Sequence, residues 1–84
     1  MSGTRLYITN LSQKTNDEGL RQLFSQYGRV IEANAVRDPG TGRARGHGYV
    51  TFAGSDEAEI AMTQLNEQEI DGSRIQVRRI GQDV

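Results

Sequence analysis

The segment 45–52 combines two rings and an arginine at alternate positions, the side chains with the clearest binding chemistry in this sequence. Arg45, His47, Tyr49 and Thr51 form one set, and glycine, valine and phenylalanine occupy the positions between them. Alternation with a period of two over eight residues predicts a half-buried β-strand. The valine and phenylalanine suit a core, so the rings and the guanidinium face water. Exposed aromatic side chains in a row gain the folded state nothing and therefore indicate a binding platform.

Catalysis has little support from the residue types available. His47 is the single histidine, no cysteine nucleophile exists, and no carboxylate pair has a discernible shared site. The run from Gly46 to Gly48 begins like a dinucleotide-binding fingerprint, but Thr51 occupies the position of its last glycine. The run also lies within a predicted strand rather than at a helix start. We therefore expect no enzyme, no cofactor and no metal site, since a lone histidine has no partner ligands.

Three other segments have the pattern of strands. Residues 5–10 alternate like the segment 45–52, with leucine and isoleucine inward and Tyr7 and Thr9 outward. Residues 30–37 form a second candidate, whose inward residues are valine and alanine. Residues 74–78 form the last, with isoleucine and valine inward. The run from Asp38 to Gly42 is rich in the residue types that favour turns, aspartate, proline and glycine, and it leads into the segment 45–52.

Capping signals and helical spacing predict two helices. Thr15 followed by Glu18 has the spacing of a capping box, which marks a helix start. We expect Gly28 to end this helix, because glycine takes the left-handed C-cap conformation at little cost. Ser55, followed by two acidic residues, marks the start of the second helix and places negative charge against its positive end.

The resulting order is strand, helix, strand, strand, helix, strand. It predicts an α+β fold, a ferredoxin-like βαββαβ sandwich with a four-stranded antiparallel sheet and two helices on one face. The first and third strands form the central pair, which places Tyr7 and Tyr49 in the middle of the open face. The inward glycines, Gly46 and Gly48, suggest a close approach by a helix backbone.

The distribution of charge is more informative than the net charge of −1. Acidic residues fall in or beside the two predicted helices. Six arginines lie in segments that flank or form strands: Arg37, Arg43, Arg45, Arg74, Arg78 and Arg79. If strands and helices form opposite layers, one face is basic and the other acidic, and this local field matters more than the total. The alternative is an evenly mixed, solvated surface.

Length and composition describe one small domain. The 84 residues suffice for a single modest core, and the absence of cysteine excludes a disulfide scaffold and fits a reducing compartment. No apolar run reaches membrane-spanning length, and no signal-peptide pattern opens the chain. We expect an intracellular protein of the nucleus and/or cytoplasm, without membrane association. A flexible leader at 1–4 and a flexible tail at 81–84 would flank one domain at 5–80.

Two segments match specific signatures of a known family. One signature is a basic residue, glycine, aromatic, glycine or alanine, aromatic, aliphatic, any residue and aromatic. The segment 45–52 fits it, except that His47 occupies the first aromatic position. The other signature, aliphatic-aromatic-aliphatic-any-Asn-Leu, is matched throughout by the segment 6–11. With both motifs at the expected separation, the chain resembles the RNA recognition motif family from end to end.

This resemblance implies binding of single-stranded RNA. Tyr7 and Tyr49 would stack on bases, Arg45 would contact phosphate, and His47 would lie near a sugar or base. Six more residues could read base edges: Thr9, Glu32, Asn34, Arg43, Gln76 and Arg78. Unstacked bases offer their faces to aromatic rings, and each stack is worth about 1–3 kcal/mol. A lone domain should therefore bind at about micromolar strength, near −8 kcal/mol.

Other partners and one departure from the family pattern complete the expectations. Single-stranded DNA would bind more weakly, protein partners could use the acidic helix face, and the chain is expected to be a monomer. The alternative function is a protein–protein interaction module in which a partner or a terminal helix covers the same sheet face.

Glu67 stands where family members often have glycine after the second helix, so the sequence does not fix where that helix ends.

Overall fold

Eight secondary-structure elements lie within residues 3–80, the part of the chain that the computed structural model describes. In order they are β1 (Thr4–Thr9), α1 (Asp17–Phe24), β2 (Val30–Arg37), β3 (Ala44–Phe52), α2 (Ser55–Leu65), β4 (Glu69–Ile70), β5 (Ser73–Arg74) and β6 (Gln76–Arg79). β1 begins one residue before the predicted domain boundary. The first two residues of the predicted leader and the predicted tail at 81–84 lie outside the described residues.

Four strands form one antiparallel sheet in the order β2-β3-β1-β6. The prediction that the first and third strands are central is therefore confirmed. Both helices pack against the same face, α1 on β2 and β3, and α2 on β6, β1 and β3. This arrangement confirms the ferredoxin-like α+β sandwich. The short strands β4 and β5 pair separately with each other.

The core lies between the sheet and the helices. Leu6 and Ile8 of β1 and Val50 and Phe52 of β3 are fully buried, as the period-two alternation predicts. Phe24 of α1 meets Phe52 edge to face, with ring centroids 6.2 Å apart. Because successive strand residues point to opposite faces, this inward set leaves the tyrosines of both central strands on the open face.

The start of α1 differs from the prediction. The capping box is wrong: Asn16 is the N-cap, and its side-chain oxygen accepts a hydrogen bond from the Gly19 N–H at 2.8 Å. Thr15 is buried instead, and its hydroxyl donates to the Asp71 carboxylate at 2.6 Å. Threonine and asparagine can both cap a helix. The sequence therefore does not show which of the two neighbours is the cap, because that depends on which side chain makes a tertiary contact.

The predicted end of α1 is also wrong, whereas the start of α2 is correct. α1 ends at Phe24, and Gly28 lies beyond it without a left-handed φ. A Cβ at Gly28 would lie 2.5 Å from the Cβ of Glu57, so this glycine makes room for α2 rather than ending α1. α2 begins at Ser55, although its N-cap, Gly54, supplies no side-chain hydrogen bond.

The last predicted strand is divided between two partners. β4 and β5 form a hairpin whose turn residues, Asp71 and Gly72, have φ values of 53° and 88°. Positive φ at both central positions is typical of a type I′ turn. Ile75 separates this hairpin from β6, which pairs with β1. The prediction of one strand at 74–78 is therefore wrong, because alternation does not reveal a change of pairing partner.

Backbone packing explains one of the two glycines of β3. A Cβ at Gly48 would lie 2.6 Å from the carbonyl oxygen of Asn34 and 3.2 Å from a methyl group of Leu20. The close approach is made by strand β2 and a leucine side chain, so the expected helix backbone is wrong. A Cβ at Gly46 would meet only the Leu11 carbonyl oxygen, at an ordinary distance of 3.9 Å, so this glycine is required instead by its φ of 85°.

β2 carries a β-bulge near its start. Val30 lies opposite Phe52, but Glu32 lies opposite Thr51, so Ile31 is an extra residue in the pairing with β3. Without this insertion, Glu32 would share the inward orientation of Val30, because strand side chains alternate. The bulge therefore turns Glu32 towards the open face.

β2 is also an edge strand, and one of the backbone N–H groups on its unpaired side forms a hydrogen bond within the chain. The Ala35 N–H donates to the carboxylate of Asp17, the first residue of α1, at 2.6 Å. This contact links the edge of the sheet to the start of the helix.

Candidate functional site

Three rings lie together on the open face of the two central strands. Tyr7 is the backbone partner of Tyr49, and His47 is the partner of Thr9. The ring centroids of Tyr7 and Tyr49 are 5.3 Å apart, and those of Tyr7 and His47 are 5.8 Å apart. His47 meets Tyr49 edge to face at 6.5 Å. All three residues are half-buried, and we call Tyr7, His47 and Tyr49 the aromatic platform.

The strand register places predicted polar residues around this platform. Arg78 of β6 is opposite Tyr7, and Asn34 of β2 is opposite Tyr49, so one row crosses all four strands. A second row contains His47, Thr9 and Gln76, the partner of Thr9 on β6. Arg78, Asn34 and Gln76 are exposed. The two rows therefore contain five of the predicted site residues besides the tyrosines: Thr9, Asn34, His47, Gln76 and Arg78.

Arg45 and Arg43 belong to the region around the β2–β3 loop, which is built around Asp38. One carboxylate oxygen of Asp38 accepts from the backbone N–H groups of Gly40 and Thr41, at 2.7 and 3.1 Å. The other oxygen pairs with the Arg45 guanidinium at 3.1 Å. Arg43 is exposed, and its carbonyl accepts from the Asp38 N–H.

The ion pair between Arg45 and Asp38 affects whether Arg45 is available to contact phosphate. Its side chain is 51% exposed and that of Asp38 is 37% exposed. Exposed pairs of this kind contribute about 0–1 kcal/mol. The guanidinium is thus held at the β2–β3 loop by a contact weak enough to exchange for another anion.

Sequence reasoning missed Arg5 as a site residue. Its guanidinium carbon lies 5.5 Å from the centroid of the Tyr49 ring. The same group contacts the Thr51 hydroxyl and the Glu32 carboxylate, each at 3.3 Å. We call Arg5, Thr51 and Glu32 the polar row. Arg5 precedes Tyr7 by two residues, so the period-two alternation that placed the tyrosine outward could also have placed the arginine there.

The separation of charge between the two faces is less complete than predicted. The predicted basic face includes Arg79, but this residue pairs with Glu59 of α2 at 2.9 Å and lies on the helix side. Arg21 of α1 also lies on that side and donates to the Val30 carbonyl. Glu32 adds a negative charge to the open face. Both faces are therefore mixed, although Arg5 lies over the Tyr49 ring and Arg78 is the strand partner of Tyr7.

Residues 3–80 contain neither a metal-site cluster nor a membrane-spanning helix. No group of three or more histidine, cysteine, aspartate or glutamate residues in this range is arranged to hold a metal ion. None of the helices formed there is both long and apolar enough to cross a membrane.

The sequence profile described as RNA recognition motif matches residues 6–76. Glycine-rich RNA-binding protein 1 of Mycosarcoma maydis is 48% identical over 73 residues, which are 87% of this chain and 42% of the relative. The mitochondrial Glycine-rich RNA-binding protein 5 of Arabidopsis thaliana is 43% identical over 77 residues, which are 92% of this chain and 26% of the relative. The chain spans less than half the length of these curated relatives.

Solved structures of similar sequence share the fold. The crystal structure of RNA binding protein PG1 is 32% identical, with a TM-score of 0.90 over 96% of this chain and 98% of that one. The SXL-lethal protein/RNA complex is 36% identical, with a TM-score of 0.83 over 89% of this chain and 46% of that one.

Proposed function

Because this chain belongs to the RNA recognition motif family, we propose that it binds single-stranded RNA on the open face of its sheet. Bases stack on Tyr7 and Tyr49, His47 contributes a weaker third contact, and Arg45 contacts phosphate. The family consists of binding domains, so the expectation that the chain is not an enzyme is confirmed.

The observation that carries the proposal is the aromatic platform itself. Three rings lie 5.3 to 6.5 Å apart on the sheet face opposite both helices. Single-stranded RNA presents unstacked bases whose faces suit such rings and whose edges remain free for hydrogen bonds. The names of both relatives and the similar protein–RNA complex support RNA as the polymer.

The surrounding residues fit the accessory roles. Thr9, Asn34 and Gln76 carry neutral donors and acceptors beside the rings, which suits contacts with base edges. Arg78 and Arg43 supply positive charge at the margin of the sheet and in the β2–β3 loop. Arg45 exchanges its exposed partner, Asp38, for a phosphate oxygen at little cost.

The energetics favour a modest affinity. Two stacks at about 1–3 kcal/mol each must offset the cost of ordering a flexible strand. We expect a dissociation constant near the micromolar range, about −8 kcal/mol, for a monomer. Single-stranded DNA binds more weakly, since it lacks the 2′-hydroxyl that distinguishes RNA.

Protein binding is the second candidate function. A protein partner could cover the platform, or it could use α2, where Ile60 is 51% exposed on the helix that carries Asp56 and Glu59. RNA is the stronger candidate because three aromatic rings lie together on the open face with an arginine over one of them, whereas α2 exposes a single large apolar side chain.

A titration followed by backbone and side-chain resonances tests the proposal. Single-stranded RNA of random sequence should shift resonances of β1 and β3 and leave those of α1 and α2 unchanged. A duplex of equal length should bind more weakly, since its bases are not available for stacking. Shifts confined to the helices, or equal affinity for the duplex, would contradict the proposed surface.

Location and boundaries complete the proposal. We propose an intracellular protein of the nucleus and/or cytoplasm, with the domain at residues 5–80. The mitochondrial and chloroplastic relatives make an organelle the alternative compartment, and fluorescence microscopy of the tagged parent protein distinguishes these locations.

A further inference from the structure

A donor and an acceptor lie side by side at the margin of Tyr49. Arg5 and Glu32 are both backbone neighbours of Thr51, on opposite sides of it. The Arg5 guanidinium contacts the Glu32 carboxylate and the Thr51 hydroxyl at 3.3 Å each, and its carbon lies over the Tyr49 ring, 5.5 Å from the ring centroid. Arg5 therefore shares the Tyr49 ring with any base that stacks there, and the polar row lies next to that base.

The orientation of Glu32 depends on the β-bulge in β2. The inserted residue, Ile31, gives Glu32 the opposite orientation to Val30. Bulges are common beside functional sites, where they redirect a side chain. Here the bulge brings a carboxylate next to Arg5 and the Tyr49 ring, which weakens attraction for phosphate. Such a charge needs another role at a site that binds a polyanion.

The ion pair between Arg5 and Glu32 is suited to exchange. Their side chains are 50% and 58% exposed, and exposed pairs of this kind are weak. A base edge can therefore enter between the two groups without breaking a strong contact. It would meet a guanidinium, which only donates hydrogen bonds, next to a carboxylate, which only accepts them.

One base matches this arrangement on its Watson–Crick edge. Guanine has an acceptor, O6, followed by two donors, N1–H and the N2 amino group. Arg5 can donate to O6, while the two carboxylate oxygens of Glu32 accept from N1 and N2. Uracil has a single donor between two acceptors, so one carboxylate oxygen would face a carbonyl. Adenine and cytosine have a bare ring nitrogen at the central position, which repels the carboxylate.

We propose that Arg5 and Glu32 make the Tyr49 subsite selective for guanine. This inference rests on the proposed binding of single-stranded RNA and adds a base preference to it. Glu32 is the specificity-determining residue, and the bulge at Ile31 is the structural feature that places it.

Selection from a pool of random heptamer RNAs tests the preference. RNA retained by the unaltered chain should be enriched in guanine at one position. Glu32→Gln keeps the size of the side chain but replaces one acceptor with a donor, so it should lose about tenfold of that preference. Glu59→Gln is the matched control, because Glu59 also pairs with an arginine and is similarly exposed, but on the helix side. It should retain the full guanine enrichment.

A second measurement uses the enriched sequence with inosine in place of the selected guanine. Inosine lacks the N2 amino group, so the unaltered chain should bind it about tenfold more weakly. Glu32→Gln should distinguish the two RNAs by less than about twofold. RNA retention without guanine enrichment, or enrichment that survives Glu32→Gln, would overturn the guanine assignment alone. Failure of the unaltered, folded chain to retain any RNA would overturn the proposed function as well.

Discussion

At Tyr7 and Tyr49, the ring is presented to solvent while the backbone lies at the centre of the sheet. Replacing either tyrosine with alanine should weaken RNA binding by about 1–3 kcal/mol, because one base–aromatic stack is lost. The melting temperature should change little, since neither ring belongs to the buried core. Fluorescence titration and thermal unfolding of each variant provide the two measurements.

Phe52 is the matched residue for this comparison, because it lies on β3 three positions from Tyr49 but points into the core. Phe52→Ala should cost about 3–5 kcal/mol of stability through the cavity it leaves. The fraction that remains folded should bind RNA normally. If Tyr49→Ala unfolds the domain while preserving affinity, the assignment of the two sheet faces is incorrect.

His47 departs from the aromatic position of the family signature, and its ring completes the platform. Its centroid is 5.8 Å from that of Tyr7 and 6.5 Å from that of Tyr49, so a larger ring would increase contact with a bound nucleotide. His47→Phe should therefore tighten RNA binding by about 0.5–1 kcal/mol. Calorimetry at constant pH measures the difference. Unchanged affinity would leave the two tyrosines as the stacking residues and remove His47 from the binding surface.

The end of α2 is marked by a conformation that favours glycine. Asn66 is the extended C-cap, and Glu67 follows it with a φ of 69°. A side chain in this left-handed region is strained by about 1–2 kcal/mol. Glu67→Gly should therefore stabilise the domain by about 0.5–1 kcal/mol, after allowing for the greater flexibility that glycine gives the unfolded chain.

Chemical denaturation of two variants tests this prediction. Glu69→Gly is the control, because Glu69 lies in β4 and has no positive φ. It should destabilise the domain by about 0.5–1 kcal/mol, as glycine does in a strand. Equal destabilisation by both substitutions would show that the backbone at Glu67 is not strained.

The central strands could be predicted from sequence because their alternation directly reflects their environment. Leu6 and Val50 face the core and Tyr7 and Tyr49 face solvent, so one period accounts for both. The helix start is harder to predict, since Thr15 and Asn16 are both suitable caps. The buried contact that occupies Thr15 comes from Asp71, 56 residues away, and no local pattern contains that information.

The candidate site shows the same division between local and distant information. Motif and alternation together predict that Tyr7 and Tyr49 belong to the site. Alternation alone also places Arg5 on the open face, but its ion pair with Glu32 involves another strand and is not visible in the local pattern. The orientation of Glu32 depends in turn on a bulge, which is defined by pairing with β3 and not by the composition of β2.

At the scale of the whole molecule, mixed charge on both faces limits the number of phosphate contacts. We expect two to four, which gives a shallow dependence of affinity on salt at about 0.7 logarithmic units per contact. Arg45→Ala should reduce the slope by about one contact. Arg79→Ala is the control, because Arg79 lies on the helix side, and its slope should not change. A slope equivalent to about eight contacts would indicate that a wider basic surface dominates binding.

The hydrogen bond between Ala35 and Asp17 affects how the protein behaves in crowded solution. An uncovered edge strand offers free amide groups on which a second chain can extend the sheet, the first step towards aggregation. Here the helix carboxylate occupies one such group, while the bulge at Ile31 interrupts the regular edge. We therefore expect a contact outside both the core and the aromatic platform to help keep separate copies of the chain from growing into a common sheet.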